Sequence, residues 1–136
     1  MIAAYNLMLL FGYALLRVVA LFNPRLRENF ALRRDLPDFS AARSKLHIWF
    51  HAASAGEFEQ ARAVAQEFRN KRKDVFLSFS FFSDSAYRAK KNDPLPDNLF
   101  ALPFDFSWKM NALVKAMRPD ALVIAKYDAW PNQVRE

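Results

Sequence analysis

Residues 47–71 read HIWFHAASAGEFEQARAVAQEFRNK, and this stretch decides the fold. Its opening, His47-Ile48-Trp49-Phe50-His51, is a short β-prone run. Ala52-Ala53-Ser54-Ala55-Gly56 is small and loop-like. From Glu57 to about Lys71, Phe58, Ala61, Val64, Ala65 and Phe68 recur at three- and four-residue spacing, which is the period of a helix. A strand that turns through small residues into a helix is the repeating piece of a parallel sheet covered by helices.

The same piece repeats downstream. Val75-Phe76-Leu77-Ser78-Phe79-Ser80 is a second strand. Asp84 or Ser83 caps a helix that runs to about Lys91, and Asn92 to Asn98, with Pro94 and Pro96, is a turn-rich connection. Leu99-Phe100-Ala101-Leu102 is a third strand stopped by Pro103. Ser107 caps a helix to about Met117, and Arg118-Pro119-Asp120 breaks it. Ala121-Leu122-Val123-Ile124-Ala125 is continuous and apolar, as expected of a buried parallel strand. Pro131 is placed to open a further helix. Trp49, Trp108 and most phenylalanines read as core. Four rounds of alternation predict an α/β, Rossmann-like parallel sheet with right-handed crossovers over 47–136.

Upstream the composition changes. Residues 1–22, MIAAYNLMLLFGYALLRVVALF, hold 19 apolar residues and one charge, Arg17. About 20 apolar residues span a bilayer core as a helix, and Arg17 lies late enough to snorkel toward the interface. The segment reads as a membrane-anchor helix, with a buried core helix as the alternative. Residues 23–46 carry six basic residues (Arg25, Arg27, Arg33, Arg34, Arg43, Lys45) against three acids (Glu28, Asp35, Asp38). This is a basic juxtamembrane stretch and linker, suited to anionic head groups. The positive-inside rule keeps it, and the α/β part, in the cytoplasm at the inner membrane.

Composition also excludes. The chain has 136 residues, 53% of them hydrophobic, so a core is affordable and disorder is not expected. No cysteine means no disulfide or thiolate metal site. His47 and His51 are the only imidazoles and share one strand, so no metal is expected. The two glycines, Gly12 and Gly56, are too far apart for a phosphate-cradling loop, which counts against a nucleotide-binding module. The net charge of +6 is concentrated beside the apolar segment, unlike the footprint of a nucleic-acid binder.

In parallel sheets, ligands bind beyond the carboxyl ends of the strands. Those loops carry Ser54-Ala55-Gly56-Glu57, Ser83-Asp84-Ser85, Phe104-Asp105 and Lys126-Tyr127-Asp128. Glu57 is the foremost catalytic candidate. Gly56 beside it lets another group approach the backbone, and a carboxylate here acts as general base toward a hydroxyl. An acid in a first helical turn also simply favours the helix. Asp128 and Lys126 are candidates on the same edge.

His51-Ala52-Ala53-Ser54-Ala55-Gly56-Glu57 resembles the H-x-x-S-x-G-E motif of the Kdo (3-deoxy-D-manno-octulosonic acid) transferases of lipopolysaccharide synthesis. Leu102-Pro103-Phe104-Asp105, Arg118-Pro119-Asp120 and Asp128-Ala129-Trp130-Pro131-Asn132 resemble that family's L-P-[YF]-D … P … E-T-E-L-W-P-N region. The resemblance covers essentially the whole chain. It implies the N-terminal half of a GT-B glycosyltransferase, which takes the lipid A precursor (lipid IVA), while a C-terminal half binds the donor CMP-Kdo. The match is to the N-terminal half only. The resemblance therefore implies an inverting Kdo transferase half-domain, inactive alone, that uses CMP-Kdo as donor substrate and no cofactor; the composition adds the expectation of no metal and no nucleic acid.

It assigns Glu57 as catalytic base and Ser54, Gly56, Ser83, Ser85, Lys126 and Asp128 as acceptor-binding. The family's two glutamates fall at Lys126 and Asp128. The charge reversal at Lys126 leaves Asp128 to supply the carboxylate, or Lys126 to hold a lipid phosphate. The family's T-P-T-G loop is Phe82-Ser83-Asp84-Ser85 here. The alternative is a non-catalytic, membrane-anchored Rossmann-like fragment or interaction module. Downstream coding sequence for a second α/β half separates the two.

Overall fold

The computed structural model describes residues 2–136. Helix α1 (Ile2–Ala20) is followed by α2 (Pro24–Leu32), a 3-10 turn (Ser40–Ala42), β1 (Leu46–Ala52), α3 (Ala55–Lys71), β2 (Val75–Phe81), α4 (Asp84–Lys90), β3 (Asn98–Ala101), α5 (Ser107–Met117), β4 (Ala121–Ile124) and α6 (Pro131–Arg135). The four strands form one parallel sheet in the order β3-β2-β1-β4. This is the Rossmann-like α/β arrangement that the alternation predicts.

Side-chain alternation along β1 builds two core layers. Ile48, Phe50 and Ala52 face Phe58, Ala61 and Ala65 of α3 together with Phe79 and Phe81 of β2. Phe50 and Phe79 stack at 4.8 Å. On the other face Trp49 packs with Phe100, Leu102 and Met110, Leu113 and Met117 of α5. Each fully buried aromatic or leucine contributes about 1.5–3 kcal/mol relative to exposure.

Several boundaries differ from the sequence reading, each for a local reason. Helix α3 begins at Ala55, because Ser54 is its N-cap and accepts from the Glu57 N–H at 3.3 Å. Ser107 is the first residue of α5 and not its cap, a place taken by Phe106. Trp108 is exposed and stacks on Phe106 at 4.6 Å rather than entering the core. Strand β4 is half-buried because it pairs on one side only, with β1. Arg118 takes a left-handed φ of 50° to end α5 ahead of Pro119.

The segment between α1 and β1 is tied to the body. Asn23 caps α2 by accepting from the Leu26 N–H, with Pro24 at the first turn. Arg33, Phe39 and Ala42 are buried.

Helix α1 has two unlike faces. Tyr5 donates to Asp105 at 2.8 Å, Asn6 accepts from Asn132 at 2.7 Å, and Tyr13 makes edge contacts with Phe30, Phe104 and Phe106. Leu7, Met8, Phe11, Leu15, Val18, Val19 and Phe22 are exposed. By length and composition α1 is apolar enough to cross a membrane.

Candidate functional site

From β1 the chain winds through β2 to β3 on one side, then crosses to place β4 on the other. The order reverses between β1 and β4, and a crevice opens beyond the strand ends at such a switch point. The loop after β1 carries Ser54, Gly56 and Glu57, and the loop after β4 carries Lys126 and Asp128, so both lie at this point.

Glu57 sits in the first turn of α3, half-buried. Its Oε2 accepts from the Ala53 N–H at 2.7 Å, while Ser54 Oγ accepts from the Glu57 N–H. This reciprocal arrangement is close to a capping box and fixes the carboxylate at the strand end. A Cβ at Gly56 would meet nothing within 4 Å, and Gly56 has no positive φ. Neither backbone conformation nor packing requires glycine there.

A buried polar chain runs beneath the loops. Trp49 Nε1 donates to Ser80 Oγ at 2.8 Å. Ser80 Oγ lies 2.9 Å from His51 Nδ1, and His51 Nε2 lies 3.2 Å from Asp128 Oδ2. A carboxylate only accepts, so Nε2 carries the proton. Burial holds His51 below the ordinary histidine range, against the opposing pull of Asp128, so the ring is neutral and Nδ1 accepts from Ser80. His47 follows the same rule. Its Nδ1 donates to Met117 O at 3.0 Å, Nε2 accepts from Ser78 Oγ at 2.7 Å, and burial again lowers it. The chain therefore orients Asp128, which is partly exposed. Lys126 and Tyr127 are exposed beside it.

Ser83 caps α4 by accepting from the Ala86 N–H, and its hydroxyl pairs with that of Ser85 at 2.8 Å. This loop is fixed by Arg33, whose guanidinium donates to Phe82 O and Leu102 O and lies over the rings of Phe82 and Phe104. Burial pushes Arg33 down to about 10, Asp84 opposing, which leaves it charged at neutral pH. The Asp105 carboxylate is buried and accepts from Tyr5 Oη and from the N–H groups of Asn132 and Gln133, at 2.8 to 2.9 Å. It is thus the cap of α6 and the tether of α1.

The structure brings Ser54, Gly56, Glu57 and Asp128 to the switch point, with Lys126 on its rim, and places Ser83 and Ser85 one strand further along the same edge. Sequence reasoning missed Ser80, Arg33 and His51 as a positioning group, and it read Asp105 as a ligand-edge acid where the structure buries it as a tether of α1 and α6. The alternating serines of residues 75–80 were the available signal for Ser80.

Between α1 and these loops runs an apolar groove of about 290 Å³, bordered by Tyr5, Gly12, Tyr13, Phe82, Phe104 and Trp130 among others.

The profile of the family described as 3-deoxy-D-manno-octulosonic-acid transferase (kdotransferase) matches residues 24–136. The chain belongs to this family. Among its curated relatives is a bifunctional glycosyltransferase/methyltransferase of Fusobacterium nucleatum, 29% identical over 133 residues, covering 91% of this chain and 20% of the relative. A 3-deoxy-D-manno-octulosonic acid transferase of Aquifex aeolicus is 28% identical over 105 residues, 76% of this chain and 29% of its own length. That of Haemophilus influenzae is 22% identical over 116 residues, 84% and 27%. The chain thus spans between a fifth and three tenths of these relatives. In this kdotransferase-family chain, the motif residues Asp105 and Asn132, far apart in sequence, meet directly, and so do His51 and Asp128.

Proposed function

We propose that this chain is the acceptor half of an inverting GT-B glycosyltransferase that moves Kdo from CMP-Kdo to a lipid A precursor, at the cytoplasmic face of the inner membrane. Family membership supports glycosyl transfer. The observation that carries the choice of a lipid acceptor is the apolar groove, which lies between α1 and the strand ends and fits acyl chain rather than sugar.

The chemistry follows from the switch point. Glu57 takes the proton of an acceptor hydroxyl as that oxygen bonds to the anomeric carbon of Kdo. The bond from that carbon to the CMP oxygen breaks, and CMP departs with the electron pair. Asp128, aimed by His51, supplies the carboxylate that the family's glutamate pair would give. Lys126 offers a cation to a lipid phosphate. Gly56 leaves open backbone for the acceptor.

The anchor lies in the interface instead of spanning. Helix α1 is held to the body from Tyr5 to Tyr13 and beyond by Arg17 over Phe30. At 1.5 Å per residue that is about 18 Å of docked helix. A helix docked over that length presents only its outer apolar stripe to lipid.

Lipid A precursor titrated into the chain, with the change in intrinsic tryptophan fluorescence as reporter, tests the reading, since Trp130 borders the groove. Saturable binding that Gly12→Leu weakens is expected, because a leucine side chain there projects into the groove. Binding of CMP-Kdo without binding of the lipid would sink the assignment.

A further inference from the structure

Away from the switch point, a second cleft of about 600 Å³ lies between the C-terminal half of α1, helix α2 and the first turn of α5. Four cations line it, Arg17, Arg27, Arg34 and Lys109, and no acid does. None of the four takes part in an ion pair among the described residues. Other surface cations, such as Arg25, Arg43, Lys115 and Arg135, are also without an ion pair among the described residues, so what sets the cleft apart is that four such cations converge there with no acid. A smaller depression next to the cleft shares Arg34 and Lys109 and adds the buried Arg33. Burial and the neighbouring Arg17 and Arg33 hold Lys109 below the usual lysine range, as expected for like charges drawn together without a counter-ion.

The other wall is apolar. Val18 and Leu21 line the cleft and are exposed, continuing the outer stripe of α1. The lining comes from α1, α2, the residues just after each of these two helices, and α5, with no residue from the loops that carry Glu57, Lys126 or Asp128.

We infer that this cleft binds the phosphate of an anionic membrane phospholipid, at a place separate from the acceptor site. Unpaired guanidinium groups grip a phosphate by charge-assisted, bidentate hydrogen bonds. The apolar lip puts the cleft at head-group depth once the outer stripe of α1 lies in the membrane interface. The inference rests on that interfacial reading of α1. A lipid bound here fixes the distance and tilt of the strand-end edge relative to the membrane.

The test uses the 136-residue chain with three probes: vesicles of phosphatidylcholine with and without phosphatidylglycerol, monomeric dihexanoyl-phosphatidylglycerol, and inorganic phosphate. The side chains of Arg27 and Arg34 make no hydrogen bond among the described residues, so Arg27→Gln/Arg34→Gln folds like the parent, with its melting temperature as the check. It is expected to lose roughly 25-fold in affinity for phosphatidylglycerol vesicles, about fivefold per charge, and most of its binding of the short-chain lipid. Arg25→Gln/Arg43→Gln removes the same charge outside the cleft and is expected to keep short-chain binding. Equal losses in the two variants, or no loss in either, would overturn the proposal, and phosphate binding as tight as the short-chain lipid would reassign the cleft to free phosphate. Failure of the parent on every vesicle with short-chain binding intact would refute only the interfacial anchor.

Discussion

The imidazole of His51, on the central strand, donates from Nε2 to Asp128 Oδ2 in the loop after β4, at 3.2 Å. The bond crosses the point where the sheet reverses its order, so the acid of one loop is aimed from beneath the other. Its far end is Ser80, which receives the Trp49 N–H and gives its proton to His51. Ser80→Ala leaves two buried groups without partners, at a cost of about 1–3 kcal/mol. A urea midpoint that does not move in this variant would show that the chain of bonds is not made.

Both histidines titrate in a way that ties stability to pH. Burial holds His47 and His51 below the ordinary value of 6.5. The unfolded chain takes up these protons near 6.5 and the folded chain does not. Stability is therefore complete above that pH and falls as pH drops below it. The denaturation midpoint is expected to decline steadily between about pH 7 and about pH 5, ahead of carboxylate titration. His47→Gln/His51→Gln flattens that slope, and a flat profile in the parent would contradict the buried neutral pair.

Asp105 joins three parts of the chain through Tyr5, Asn132 and Gln133. Asp105→Ala strands two backbone donors at the start of α6 and releases the N-terminal end of α1. The expected loss is about 2–4 kcal/mol, with α1 becoming the first site of limited proteolysis. Wild-type protease resistance at α1 would mean that its aromatic contacts alone hold it.

The strands and helices of residues 47–136 were legible because period two and period 3.6 are local properties. So was the gathering of Ser54, Glu57 and Asp128 at one edge, which follows from parallel topology. Arg33 was not, since its partner Leu102 is 69 positions away and nothing local marks an arginine as buried. Asp105 looked like a ligand-edge acid, and its capping role depends on α6 folding back against it. Helix α1 reads as apolar all round, and only the pairing of Tyr5, Asn6 and Tyr13 with distant residues gives it an inner face. Strand β4 has the composition of a buried strand, but burial depends on neighbours that its own residues do not specify.

Gly56 offers a clean separation of folding from function. It lies inside α3, where a Cβ meets nothing and no positive φ is needed. Gly56→Ala is expected to stabilise the chain by about 0.5–1 kcal/mol, while lowering affinity for the lipid acceptor. Unchanged acceptor affinity would mean that nothing approaches this backbone.

Glu57 carries the sharpest prediction. Its Oε2 is engaged by the Ala53 N–H at 2.7 Å, and its Oε1 makes no hydrogen bond among the described residues. A glutamine can still accept from Ala53, so the strand-end geometry survives Glu57→Gln. What the amide cannot do is take a proton from a sugar hydroxyl, which is a weak nucleophile at neutral pH without a base. A positioned base contributes about 10²–10⁴-fold. In a transferase that joins this half to a donor-binding half, Glu57→Gln should lower kcat by that factor with acceptor KM nearly unchanged. The melting temperature should move little, because the first-turn charge is worth at most about 1 kcal/mol. Kinetics and melting measured together decide the role. Near-normal turnover with a lowered melting temperature would make Glu57 a capping acid of α3, and the base would have to be sought at Asp128.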